Sequence, residues 1–182
     1  MIPIIVNGKS GSGKSTIIKK LQSKLQRPII DSGQIFRQAV SEAGITNKKL
    51  GDQDKLMEYR RQHPELDKKI DDQVLTELQS KNAIAQSRVL PFLVKDKGVQ
   101  VFTVFLETSD EVRAQRLGGR DDISAREAMQ KNAERDENDR QIYKEIYGID
   151  TNDIGVYDLI VNTDDKNPEE IADIIVKKLP PK

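Results

Sequence analysis

The sequence predicts an α/β fold, a core with a mainly parallel sheet flanked by helices. Short β-branched or apolar runs recur at 2–6, 28–30, 83–85, 99–106 and 157–161. Segments of helical spacing separate them, and such alternation is the signature of parallel strands joined by crossover helices. The first run also ends in a glycine-rich turn that leads into a helical segment.

Each element has its own signal. Ile2 to Val6 is short, apolar and closed by Asn7-Gly8, which reads as a buried parallel strand. Lys14 to Leu25 places Ile17, Ile18, Leu21 and Leu25 on one helical face. Pro28-Ile29-Ile30 reads as a second strand ending at Asp31-Ser32-Gly33. A helix is expected over Gln34 to Ala43, stopped by Gly44. Residues 47–81 are strongly charged and mostly helical, and Ala83 to Ala85 is a brief third strand. Val99 to Leu106 is rich in Val and Phe, a strand composition. Thr108 with Glu111, and Ser124 with Glu127, have capping-box spacing and predict two helix starts. Tyr157 to Val161 is the last strand. Asn167-Pro168-Glu169-Glu170 opens the final helix, with Pro at its first position and acids at its positive end. No repeat or linker divides the 182 residues, so one domain over 1–182 is expected, with the stretches around 47–81 and 118–142 as insertions.

Composition narrows the function. The chain has no Cys, which excludes disulfides, thiolate zinc sites and a thiol nucleophile. A single histidine, His63, leaves no multi-histidine metal site and no spare for a Ser-His-Asp triad. Thirty basic and thirty acidic side chains balance to zero, so no nucleic-acid or membrane partner is expected. No apolar run reaches the length of a membrane span. A cytoplasmic location is expected.

Chemistry enters with Gly8-Lys9-Ser10-Gly11-Ser12-Gly13-Lys14-Ser15, followed by Thr16, which fits G-x-x-x-x-G-K-[ST] in full. It follows a predicted strand and opens a predicted helix, as a phosphate loop requires. Its glycines let successive amides turn toward one anion, and the helix N-terminus adds partial positive charge. Lys14 is placed to reach the β- and γ-phosphates, and the Ser15 hydroxyl to hold Mg²⁺. ATP or GTP binding follows. Asn162-Thr163-Asp164-Asp165 lacks the Lys of a guanine-reading N-K-x-D, which disfavours a guanine switch protein. Arg37 and Arg88 stand just after predicted strand ends, where α/β folds place ligands. Arg113, Arg116 and Arg120 share a helical face, and Arg135 lies four residues before Asp139. Flexible arginines of this kind neutralise a transferred phosphoryl group, though an ion-paired surface helix would look the same. Asp67 and Asp71 share a face among other charges and read as solvated, while Tyr143 and Tyr147 read as packing.

Several segments together resemble the cytidylate kinase family, in its short, archaeal-type branch of the nucleoside monophosphate kinases. They are Asp31-Ser32-Gly33-Gln34-Ile35-Phe36-Arg37, Glu65-Leu66-Asp67-Lys68-Lys69-Ile70-Asp71, Arg135-Asp136-Glu137-Asn138-Asp139, Tyr143 to Asp150, and Tyr157 to Thr163. The resemblance implies a P-loop kinase core with an NMP-binding insertion at about 34–81 and a LID at about 117–135. It implies that Ser32, Arg37 and Arg88 bind the acceptor, that Arg135 and Asp139 contact its phosphate and ribose, and that Arg116 and Arg120 close over ATP. Lys14, Arg37, Arg88, Arg120 and Arg135 are then the expected catalytic set. The implied activity is ATP-dependent phosphorylation of CMP or dCMP with Mg²⁺, by a monomer whose partner is a small nucleotide. Three positions depart from the family. Gln86-Ser87 stand where an acid and Gly usually precede the acceptor-reading arginine. Ile142 stands where a cytosine-reading arginine is common. Glu107 is only a candidate for the acid that reads the base. Another small acceptor, or a catalytically weak ATP-binding regulatory protein, remains as an alternative.

Overall fold

Strand β1 (Ile4–Gly8) is the middle of a five-stranded parallel sheet, ordered β2-β3-β1-β4-β5. The computed structural model describes residues 2–42 and 53–181. The other strands are β2 (Ile29–Asp31), β3 (Ile84–Gln86), β4 (Phe102–Glu107) and β5 (Leu159–Asn162). Every β1 residue is buried, because helices cover both faces of the sheet.

Alternation along β1 builds two cores. Ile4 and Val6 point to one face, where they meet Ile17, Ile18 and Leu21 of α1 (Lys14–Leu25) and Ile171 and Ile175 of α8 (Pro168–Lys178). Ile5 points to the other. There it packs with Ile70, Val74 and Leu78 of α4 (Pro64–Lys81) and with Leu90 and Val94 of α5 (Leu90–Asp96). Burying side chains of this size contributes roughly 1.5–3 kcal/mol each, so the sheet and four helices form one rigid frame.

The remaining helices follow strand ends. Helix α2 (Ser32–Glu42) begins directly after β2, and α3 (Gln53–Gln62) precedes α4, the break falling at His63-Pro64. Helices α6 (Asp110–Asp121) and α7 (Ala125–Tyr147) lie between β4 and β5. A 3₁₀ turn at Ile154–Val156 precedes β5.

Some sequence expectations shift. The first strand runs from residue 4 to 8 rather than 2 to 6. The cap of α6 is Ser109, whose hydroxyl accepts from the Val112 amide, and not Thr108. The Thr108 hydroxyl instead pairs with that of Thr163 at 2.7 Å, joining the ends of β4 and β5. Helix α5 has no counterpart in the sequence reading, because its short apolar run offers too little periodicity. The predicted stop at Gly44 lies outside the described residues. Asn167 caps α8 in a reciprocal box with Glu170, as the sequence indicates.

The C-terminal ends of all five strands face the same edge. Strands β3 and β4 lie on opposite sides of β1, so a crevice opens at that edge beside the phosphate loop.

Candidate active site

The loop after β1 is shaped by close backbone approach. Gly11 has φ 81°, and a Cβ there would lie 2.9 Å from the Arg113 carbonyl oxygen. Only glycine fits the turn while the loop rests on α6. The Asn7 side chain locks the loop from behind. Its Oδ1 accepts from the Gly8 amide (2.7 Å), and its Nδ2 donates to the Arg88 carbonyl (3.0 Å) and the Tyr157 hydroxyl (2.5 Å). Lys14 Nζ donates to the carbonyls of Gly8 (2.6 Å) and Lys9 (2.8 Å). Burial, then the Arg88 and Arg135 guanidinium groups, hold the Lys14 pKa well below its usual value. The loop is therefore crowded with positive charge, the electrostatic condition for capturing an anion. The Ser15 hydroxyl donates to Gln86 Oε1 at 3.3 Å, and Ser32 donates to the Gln86 carbonyl at 2.7 Å.

Facing this loop is a cleft of ≈ 800 Å³ whose far wall is built from α2, α3, α4 and α7. Arg88 pairs with Asp139, which lies 3.8 Å from Arg60. Arg60 is buried and grips Asp67 with two hydrogen bonds, of 2.6 and 3.2 Å. Its guanidinium sits 5.1 Å from the ring centres of both Phe36 and Tyr143, a cation held between aromatic faces. Asp71 is 7% exposed and accepts a 2.5 Å hydrogen bond from the Tyr147 hydroxyl. Burial pushes its carboxyl up to about 7.

Residues 4–165 match the model of the cytidylate kinase-like family. The chain belongs to that family. The cytidylate kinase of Sulfurisphaera tokodaii is 36% identical over 173 residues, covering 94% of this chain and 92% of that protein. The cytidylate kinase of Pyrococcus horikoshii is 33% identical over 172 residues, covering 94% and 85%. Among solved structures, an uncharacterized protein of Eubacterium ventriosum superposes with a TM-score of 0.70 at 14% identity, over 97% of both chains. The shikimate kinase of Bacteroides thetaiotaomicron gives 0.58 at 18% identity, over 97% and 96%. These two likenesses speak for the P-loop kinase fold alone.

In this cytidylate kinase-like chain the sequence candidates mostly converge. Ser10, Gly11, Gly13, Lys14, Ser15 and Thr16 line the phosphate-loop side of the cleft, while Gly8, Lys9 and Ser12 complete the loop. Ser32, Arg37, Arg88, Arg135 and Asp139 line the same cleft. Gly33 leaves room for the Arg37 guanidinium, which would lie 3.2 Å from a Cβ there. Arg116 lines the cleft and is tied to the core, donating to the Thr163 carbonyl (2.9 Å) and hydroxyl (3.1 Å). Arg120 lies in the last turn of α6, and its side chain falls outside the described residues.

Other candidates move. Arg113 is 3% exposed and turns inward to Asp136 (2.6 Å), Asp110 (2.5 Å) and the Ser10 carbonyl (3.0 Å), so it braces the loop. Asp67 and Asp71 are not a solvated face, because α3 and α7 close over them. Tyr143 lines the cleft instead of serving only as packing. Glu107 is exposed and lies outside the cleft lining, which removes it as a base-reading acid. Ile142 is fully buried, and Arg140 pairs on the surface with Glu137 and Asp150. Sequence reasoning missed Arg60. The one available signal was the i, i+4 spacing of Asp67 and Asp71 beside the core residues Ile70 and Val74.

Proposed function

We propose that this kinase transfers the γ-phosphoryl group of ATP to CMP or dCMP. One observation carries the reading. A single cleft joins a complete phosphate loop to a facing cluster of Arg37, Arg88, Arg135 and Asp139. Two nucleotides bound end to end would bring their phosphates together between these groups.

The loop amides and Lys14 hold the β- and γ-phosphates, and Lys14 exchanges its two carbonyl partners for phosphate oxygens. Arg37, Arg88 and Arg135 orient the acceptor phosphate. An acceptor oxygen forms its bond to the γ-phosphorus as the bond from that phosphorus to the β,γ-bridging oxygen breaks. The acceptor is already anionic near neutral pH, so no general base is needed, and the rate comes from positioning and charge stabilisation. Arg116 and Arg120 act from the donor side. We take about 34–81 as the NMP-binding insertion and about 117–135 as a LID, which excludes water and suppresses ATP hydrolysis. We further read the enzyme as a cytoplasmic monomer. No helix among the described residues is long and apolar enough to cross a membrane.

The donor set suits Mg²⁺ carried by ATP. Such an ion is held by one or two protein ligands, by phosphate oxygens and by water. The Ser15 hydroxyl would supply one ligand, and the side-chain Oε1 of Gln86, 3.3 Å from it, could accept from a water on the ion. Among the described residues no cluster of three or more His, Cys, Asp or Glu offers a site of its own. Bound there, the ion would neutralise charge on the β- and γ-oxygens.

The test is an ADP-release assay with Mg²⁺·ATP and CMP, dCMP, UMP, AMP and GMP. Lys14→Ala serves as the control, and it is expected to fold and lose nearly all transfer. Preference for CMP or dCMP supports the proposal. Full activity in Lys14→Ala removes its mechanism, and ATP binding without turnover of any acceptor replaces it with a nucleotide-binding protein.

A further inference from the structure

We propose that Tyr157 is a positioning residue for the transfer step: through the Asn7 side chain it fixes where Arg88 stands relative to the phosphate loop. The inference rests on reading Arg88 as a ligand of the acceptor phosphate. Neither Tyr157 nor Asn7 lines the cleft, so both act through other residues.

Connectivity is the first argument. The ladder between β1 and β3 ends at Val6 and Gln86, and beyond that pair the Asn7 amide joins the two strand ends. Asn7 is buried. Its Oδ1 accepts from the amide of Gly8, whose own carbonyl accepts from Lys14 Nζ. Its Nδ2 donates one hydrogen to the Arg88 carbonyl and the other to the Tyr157 hydroxyl. One side chain thus ties the entry of the phosphate loop to the root of Arg88, and Tyr157 holds that side chain.

Rigidity is the second. The Tyr157 ring centre lies 5.0 Å from that of Phe105 on β4 and meets Phe92 of α5 edge-on at 6.2 Å. Packed aromatic rings of this kind have few ways to turn. The next residue anchors the chain. Asp158 Oδ2 accepts from the Thr103 amide (2.7 Å) and hydroxyl (2.9 Å) on β4. Tyr157 therefore presents its oxygen to Asn7 from a fixed place in the core.

Energetics is the third. The Gly8 amide requires Oδ1 and the Arg88 carbonyl requires Nδ2, so these two backbone groups set which way the amide points. Without the Tyr157 hydroxyl, one buried Nδ2 hydrogen has no acceptor, which costs more than the bond itself contributes. The amide then turns from its present line and the tie to the Arg88 carbonyl weakens. Gly8 stays in place, because its backbone rests on β4, where a Cβ would lie 2.8 Å from the Leu106 carbonyl oxygen. Arg88 stands two residues past the last ladder pair of β3, so the displacement falls on Arg88.

The test compares the wild type with Tyr157→Phe, which keeps the ring contacts and removes one oxygen. It reads kcat and KM with Mg²⁺·ATP and CMP, ATP hydrolysis without an acceptor, and thermal unfolding. The kcat for transfer should fall about 10-fold, because small misplacements of a positioning group are costly, while KM for ATP stays within about twofold. Hydrolysis uses the loop but not Arg88, and should also stay within about twofold, so its ratio to transfer rises. Asn167→Ala, which loses stability at a helix cap far from the cleft, should keep the wild-type kcat and separates positioning from loss of stability. Should Tyr157→Phe fail to fold, Asn7→Asp replaces it. Its carboxylate still accepts from Gly8 but cannot donate to the Arg88 carbonyl, and the same pattern is expected. A transfer kcat within about twofold of the wild type overturns the inference. So does an equal fall in hydrolysis and transfer, which would put the effect on the loop. A wild type that binds and phosphorylates no nucleoside monophosphate overturns the acceptor-site reading itself, and this inference with it.

Discussion

Asp71 ties stability to pH. Its folded carboxyl titrates near 7 because burial disfavours the charge, against 3.8 ordinarily. The folded state therefore binds the proton more tightly than the unfolded chain does, and between about pH 4 and 7 this group lowers stability as pH rises. The slope is at most ~1.4 kcal/mol per pH unit. Other carboxyls act oppositely. Asp110, for example, is held low by its hydrogen bond to Arg113. The comparison must therefore be with Asp71→Asn, which removes only this contribution. Urea unfolding at pH 5 and pH 8 should show the wild type losing about 1–4 kcal/mol more than the variant over that interval. Equal losses would mean that Asp71 is hydrated in solution. Neither Asp71 nor Arg60 was legible from local sequence. Asp71 sits in a charged run whose composition suits a solvated helix. What removes water from it is Tyr147, 76 residues away.

Helix starts were read best where the cap acts within its own turn. The Asn167 side chain accepts from the amides of Glu169 and Glu170, both at 3.0 Å, and Glu170 returns a bond to the Asn167 amide. All partners lie within three residues, so the pattern is complete in sequence. Replacing Asn167 by Ala should cost about 0.5–2 kcal/mol, or several degrees in Tm. Activity should be unaffected, because α8 packs on α1 across the sheet from α4 and contributes nothing to the cleft. Differential scanning calorimetry with a parallel rate assay checks both halves. Thr108 shows the limit. Its spacing to Glu111 imitates a cap, yet its hydroxyl is taken by Thr163 at the end of the neighbouring strand. Pairing across the sheet overrode a local signal, and Ser109 caps the helix instead.

Across the whole molecule, Lys14, Arg88 and Arg135 converge on one end of the cleft from three separate segments, and burial, then the repulsion of Arg88 and Arg135, holds the Lys14 pKa low. A polyanion should relieve this. Adding ATP or pyrophosphate at 100 times its Kd should stabilise the fold by about 2.7 kcal/mol, read as a rise in Tm. The rise should shrink in Lys14→Ala, and its absence in the wild type would show that the loop does not bind phosphate. The sequence by itself determined the alternation of strands and helices, the phosphate loop and its helix, the family, and most of the arginines that line the cleft. Those signals are local, since a loop, a cap or an apolar period is complete within a dozen residues. Tertiary structure alone decided that Arg113 braces the loop from inside, that Ile142 is core, and that Arg60, Asp67 and Asp71 form a buried wall of the cleft. A charged side chain has the same spelling whether water surrounds it or not. Its role is set by distant elements that exclude the water and supply the partner, and those meet only when the chain has folded.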